Sequence, residues 1–430
     1  MPASTPLAYA ADWVFDGQRF LRDHAVIVAG GVVTALCARG QVPGGVPLVY
    51  EPGATILPGL IDVHAHYMRW QGPLFLAYGV TAIRDVGNDL AFILAQRAST
   101  PNASTPRIVC VGPLLDGPQP THPLVSRACA TRQEGVTAVR ETAEAGVDGI
   151  KFYHNLDRKW LPRMADEAHR HALKASMHCL QSGVLAAAKA GVDEFFHLDG
   201  VLADVWPDHP PGWLSVWGLP GFRATRDAPC RVADRLAALG VTATPTLVYW
   251  ESQWRLRAPE SDLALHHVPA EIVRWQGSLP RDAAVADQWH AALRAAQEFV
   301  GLLLERGVRV LPGSDVPCGC VTPGLSLWQE MGLLVAAGMS LEESLRAATA
   351  EAAAFLGLPQ LGRLAPGASA DLVVVRGNLA QGLPAHPELV TVVRDGIAQR
   401  PVDLLASARE AAGCVMGDPW AEQLRGHSSG

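Results

Sequence analysis

The middle of the chain alternates two kinds of segment, and this constrains the fold more than any other feature. Short runs rich in β-branched residues recur at 61–66, 80–85, 107–111, 148–152, 174–178, 193–197, 241–246 and 308–315. Amphipathic stretches of helical period lie between most of them, including 131–145, 158–172 and 283–306. Strands alternating with helices of this length form βαβ units, because the helix carries the chain back to begin the next strand in the same direction. The fold class is therefore α/β. Eight such units in one block favour a (β/α)8 TIM barrel over an open sheet. No Gly-x-Gly-x-x-Gly follows the first run, which counts against a dinucleotide fold.

The flanks read differently. Residues 24–36 alternate apolar and polar around Gly30-Gly31, a hairpin whose turn tolerates positive φ. Residues 371–375 form a buried apolar run, and 389–393 followed by Asp395-Gly396 form a second hairpin. Two β-rich ends around one βα block imply a small β-sandwich domain built from 1–55 and 365–405, with the barrel over 56–364. Residues 406–430 are expected to add a surface helix and tail.

Composition narrows the function classes. The formal charge of −7 leaves no basic footprint for nucleic acid. No apolar run reaches the ~18 residues of a membrane helix, and no positive segment precedes an apolar one at the N-terminus. The eight cysteines are scattered, with no CxxC pair, and read as reduced thiols. A cytoplasmic homo-oligomer acting on a small molecule is expected, with no nucleic-acid or membrane partner.

Barrel active sites lie at the C-terminal ends of the strands, so the polar residues ending the eight runs carry the chemistry. Run one ends in His64-Ala-His66, and strand alternation puts both imidazoles on one face. Run four holds Lys151, run five ends at His178, run six at His197 and run eight at Asp315. Imidazoles and a carboxylate converging from separate strands suit a divalent ion such as Zn²⁺. A lone His at a strand end is usually only a satisfied polar residue. The coincidence over five units points instead to metal. His169 and His171 also form an HxH, but on a helical stretch where i and i+2 diverge.

Lys151 is the hardest of these to explain without chemistry, since an ammonium beside a dication is repelled and desolvated. It could be a neutral Schiff-base nucleophile, a carbamate formed with CO2, or a packed stem whose head finds a carboxylate. The chain uses 31 Arg and four Lys (151, 159, 174 and 189). Arg is thus preferred wherever any cation serves, which makes a surviving Lys at a strand end notable.

Several stretches together resemble the amidohydrolase superfamily. Ile56-Leu-Pro-Gly-Leu-Ile-Asp-Val-His-Ala-His66 is similar to its entry motif, and Gly79-Val-Thr-Ala-Ile-Arg-Asp-Val-Gly87 to its second strand. Ala145-Gly-Val-Asp-Gly-Ile-Lys151 resembles the strand of the carboxylated lysine. Ala190-Gly-Val-Asp-Glu-Phe-Phe-His197 and Leu311-Pro-Gly-Ser-Asp315 resemble the sixth and eighth strands. The closest branch is the imidazolonepropionase-like group that includes binuclear Xaa-Pro dipeptidases and carboxypeptidases. Imidazolonepropionase itself is mononuclear and lacks the strand-four Lys.

The resemblance implies two divalent metal ions, with Zn²⁺ expected. His64, His66 and Asp315 would hold one and His178 and His197 the other, with carboxylated Lys151 and a hydroxide between them. Asp315 would pass a proton to the leaving nitrogen of a small amide, N-acyl amino acid or dipeptide. The branch often carries Gly-Gly-His after strand three; here Gly117-Pro-Gln-Pro-Thr-His122 departs from it. His122, Tyr153, His154 and Tyr249 are candidate substrate contacts. Seven of the twelve Trp fall within 206–289, as a lid or as an insertion with its own core. Lactone or phosphoester hydrolysis, and a mononuclear deaminase with unmodified Lys151, remain open on the same residues.

Overall fold

The computed structural model describes residues 5–99, 104–209, 214–223, 227–258, 267–277, 281–412, 415 and 417–427. Their first strands are Leu7–Phe15 (β1), Phe20–Ala29 (β2), Val32–Ala38 (β3), Leu48–Pro58 (β4), Leu60–Ala65 (β5), Val80–Asp85 (β6), Arg107–Cys110 (β7) and Leu114–Asp116 (β8). Then follow Ser126–Ala128 (β9), Gly149–Phe152 (β10), Lys174–His178 (β11), Glu194–Phe196 (β12), Thr242–Thr244 (β13), Leu372–Arg376 (β14), Leu389–Arg394 (β15) and Ile397–Gln399 (β16).

Both ends of the chain build one seven-stranded sheet, in the order β16-β15-β14-β4-β1-β2-β3. Gly30 and Gly31 turn the β2–β3 hairpin at φ 60° and 79°, which a side chain would resist. The turns of the outer hairpins meet: Ala370 N–H donates to Gly31 O and Gly396 N–H donates to Ala370 O, at 2.8 and 3.0 Å. Val14, Val26, Ile56, Leu372 and Val393 share the core between them.

The remaining strands form two parallel sheets, β5-β6-β7 and β13-β12-β11-β10-β8-β9. Strands β5, β6 and β10 are buried at every residue, as apolar runs covered on both faces must be. Two of the expected runs behave otherwise. The third ends early at Cys110, because Gly112 (φ 73°) and Pro113 turn the chain; β8 then pairs with β10 instead. The eighth is not a regular strand. It crosses between β13 and β5 by isolated bridges, with bonds that include Leu311 N–H to Ala243 O (3.0 Å) and Asp315 N–H to His64 O (2.8 Å). Pro312 has no N–H to give to a ladder, which accounts for the break.

Helix ends follow local chemistry. Thr131 caps Arg132–Glu144 by accepting from Glu134 N–H at 3.2 Å. Leu161–Arg170 starts later than its period suggests, with Pro162 in its first turn. Trp217, Trp250 and Trp289 pack edge-to-face at 5.5 and 6.5 Å and belong to the same core cluster as Val63, Phe152 and Phe195 of the parallel strands. Trp213 and Cys414 lie outside the described residues; the seven described cysteines are free. No described helix is long and apolar enough to cross a membrane.

The C-terminal stretch corrects the expectation of a surface helix and tail. Helix Pro419–His427 buries Trp420, Ala421 and Gln423, and with Val415 joins a cluster containing Met68, Trp70 and Val125.

Candidate metal centre

Period-two alternation along β5 sends Asp62 and His64 to the same side, and His66 follows just past the strand end. Asp62 ties this strand to residue 314: its carboxylate accepts from Ser314 Oγ at 2.5 Å and from the N–H groups of His64 and Ser314 at 3.1 Å. Asp315 is thereby carried to the histidines. Its Oδ1 lies 3.1 Å from His64 Nε2 and 3.5 Å from His66 Nε2. The ligand atoms of His64, His66 and Asp315 all fall within 4.8 Å of one another.

The donor set fits a cation. His64 is fully buried: its Nδ1 has no hydrogen-bond partner, and its Nε2 faces the Asp315 carboxylate, an arrangement that is costly unless a ligand shares the site. His66 gives Nδ1–H to Gly87 O at 3.0 Å, which leaves the Nε2 lone pair beside Asp315. Burial, then the Lys151 charge, pushes His64 well below its ordinary pKa, so the imidazole is neutral, as a ligand must be.

His197 and His178 stand next in line, with ring centroids 4.9 Å from His64 to His197 and 4.5 Å from His197 to His178. Thr246 Oγ1 donates to Pro245 O at 2.8 Å, so it accepts from His197 Nδ1–H at 2.7 Å and leaves Nε2 bare. In His178 the arrangement is reversed: Nε2 bonds to Asp199 Oδ2 at 2.5 Å, leaving Nδ1. His197, Thr246 and Asp315 all hold left-handed φ values, 60°, 51° and 58°. Each such residue costs about 1–2 kcal/mol, and strain of this kind gathers at functional sites.

Lys151 is 1 % exposed. Its Nζ sits 4.7 Å from the centre of the Phe196 ring and 5.7 Å from that of Tyr153. Burial lowers its pKa to about 8, against the pull of Asp315. The candidate contacts cluster nearby. Tyr153 Oη pairs with His122 Nε2 at 3.1 Å, and His154 Nε2 with Thr121 Oγ1 at 3.0 Å. Burial, then His178, lowers His154 to about 4. Tyr249 packs under Gly319, where an added Cβ would lie 3.0 Å from its ring.

Sequence reasoning missed Asp199, Thr246 and Trp420. Asp199 follows His197 by two residues, a spacing that could have been noticed. Trp420 leaves no local signal; its ring is 4.3 Å from that of His66.

A model of the amidohydrolase family matches residues 75–402. The chain belongs to the amidohydrolase family. It is a hydrolase acting on carbon–nitrogen bonds. Among solved structures, this amidohydrolase is similar to bottromycin amidohydrolase, with TM-score 0.71, 24% identity, and 97% and 92% of the two chains covered. It is similar to a Xaa-Pro dipeptidase with bound methionine in the active site, with TM-score 0.70, 18% identity, and 92% and 100% covered. It also resembles A. niger ochratoxinase, with TM-score 0.65, 16% identity, and 92% and 96% covered. At these identities the likeness is one of fold.

Proposed function

We propose that this amidohydrolase is a binuclear metal-dependent enzyme that cleaves an amide or peptide C–N bond of a small substrate, at the mouth of a (β/α)8 barrel. The observation that carries the reading is the buried cluster of His64, His66 and Asp315, whose ligand atoms all lie within 4.8 Å of one another. The bonds that residues 309–316 make to both β13 and β5 support the barrel.

His64, His66 and Asp315 would hold one divalent ion and His178 and His197 a second, Zn²⁺ in each case. Such ions, when bound, acidify water and polarise a carbonyl. Lys151 is suited to carboxylation because burial favours its free amine. Its nitrogen adds to the carbon of CO2, a C=O electron pair moves to oxygen and the nitrogen gives up a proton to water. The resulting carbamate is an anion with two oxygens that can serve both ions. Asp315 takes a proton from the attacking water and returns it to the departing nitrogen. Tyr153, His122, His154 and Tyr249 line the approach and orient the substrate.

One observation favours a mononuclear alternative: among the His, Cys, Asp and Glu of the described residues, the cluster with ligand atoms within 4.8 Å of one another holds three, His64, His66 and Asp315. Metal analysis separates the two. Two ions per active chain support the proposal, and one ion with full activity overturns it. A screen of N-acyl amino acids, dipeptides and lactones with the zinc-loaded protein identifies the scissile bond. Turnover of lactones alone would reject amide cleavage.

A further inference from the structure

Seven aromatic side chains form a closed circuit at the C-terminal ends of the parallel strands. His64 meets His66 at 5.7 Å between centroids, His66 meets Trp420 at 4.3 Å, and Trp420 meets His122 at 5.2 Å. His122 then meets Tyr153 at 5.6 Å, Tyr153 meets His178 at 5.0 Å, His178 meets His197 at 4.5 Å, and His197 returns to His64 at 4.9 Å. Six of the seven sit on the parallel strands or the loops that follow them. The seventh arrives from the C-terminal helix.

Trp420 is held on every side. Its Nε1–H donates to Gly87 O at 2.6 Å, the same carbonyl that accepts from His66 Nδ1 at 3.0 Å. A carbonyl has two lone pairs, so both bonds are made together. Glycine suits this position, since its φ is 155° and a Cβ would come 2.2 Å from Leu114 Cδ2 and 2.9 Å from Leu114 Cγ. On one flank, buried Asp418 accepts from Arg69 N–H at 2.8 Å and from Arg69 Nε at 2.6 Å. On the other, Gln423 Oε1 accepts from Leu124 N–H at 2.9 Å. The indole is 2 % exposed. A ring so fixed, in close tilted contact with an imidazole (49° between the ring planes) and sharing its acceptor, limits rotation of that imidazole about both χ angles.

We propose that Trp420 is a positioning residue for the metal centre. It holds His66 with Nε2 aimed at Asp315, and through it the C-terminal helix sets the affinity of the His64–His66–Asp315 cluster for a divalent cation. The inference rests on the metal-dependent reading above, but names a residue that reading does not need.

The test is Co²⁺ titration of the full-length, chelator-stripped protein in competition with a chromophoric chelator, alongside the visible Co²⁺ spectrum. Trp420→Ala should weaken binding roughly tenfold or more, the usual loss when a ligand's supporting partner is removed, and shift the visible band. Trp420→Phe keeps an aromatic ring against His66 and should restore most of the affinity. Leu424→Ala, on the same helix and in the same apolar cluster, should bind as the unmodified chain does. If Trp420→Ala does not fold, Trp420→Leu replaces it, with apolar bulk but neither flat face nor N–H, and carries the same expectation. Unchanged affinity in the Ala or Leu variant overturns the proposal, as does an equal loss in Leu424→Ala, which would mean general loosening. An unmodified chain that binds no Co²⁺ overturns the metal-dependent reading itself, a result distinct from any difference among variants.

Discussion

Lys151 and Asp199 bear on the chemistry most directly at the scale of single residues. Lys151→Ala and Lys151→Arg should both lose activity and bound metal, by 10- to 100-fold or more, because a guanidinium cannot form the carbamate. Full turnover in the Arg variant, read by steady-state kinetics, would reject carboxylation; recovery of the Ala variant with added short-chain carboxylic acids would support it. Asp199→Asn keeps an acceptor near His178 but removes the charge that makes the imidazole a stronger ligand. About a tenfold weaker second ion is expected, measurable by metal analysis after dialysis against chelator. The positions of His64, His66, Lys151, His178, His197 and Asp315 at run ends were legible in the sequence, because strand alternation decides which side chains point together. The atoms that orient them were not. Thr246 and Asp199 reach His197 and His178 only once neighbouring strand ends lie side by side, and no period marks such partners.

Elements show where local rules prevail and where they yield. Thr131 caps its helix by local geometry alone, so Thr131→Ala should cost about 1 kcal/mol in chemical denaturation and leave metal content unchanged. Glu330, buried on helix Leu325–Ala336, instead acts at a distance. Its Oε2 accepts from Val248 N–H at 2.7 Å, serving the first turn of helix Leu247–Arg257 just past Thr246. Burial raises this carboxyl from 4.5 to about 8. The folded chain therefore keeps a proton between those limits that the unfolded chain has shed, and stability falls as pH rises through that window. Glu330→Gln removes the titration. Its melting temperature should gain on the unmodified chain progressively from pH 5 to 8, and a parallel pair of curves would count against this. The eighth run shows the opposite limit. Its apolar pattern reads as a strand, yet Pro312 removes a ladder donor, and only the flanking β13 and β5 hold it in line.

For the whole molecule, the ends of the chain matter as much as its middle. Metal removal should lower the melting temperature, since ions that bind only the folded state stabilise it by mass action. Reloading should restore it. Truncation after residue 412 should expose the cluster around Met68, Trp70, Val125 and Tyr153, lower the melting temperature and promote aggregation, as followed by calorimetry and light scattering. By itself the sequence determined the α/β class, the pairing of the two β-rich ends and the residues at the strand ends. Each of these follows from a short period, two for strands and 3.6 for helices, that local spacing records. Tertiary structure alone decided that Asp315 lies 3.1 Å from His64, that Glu330 serves another helix, and that Trp420 closes the ring against His66. These contacts join residues far apart in the chain, and their energy comes from burial and hydrogen bonds available only after packing, so no local pattern encodes them.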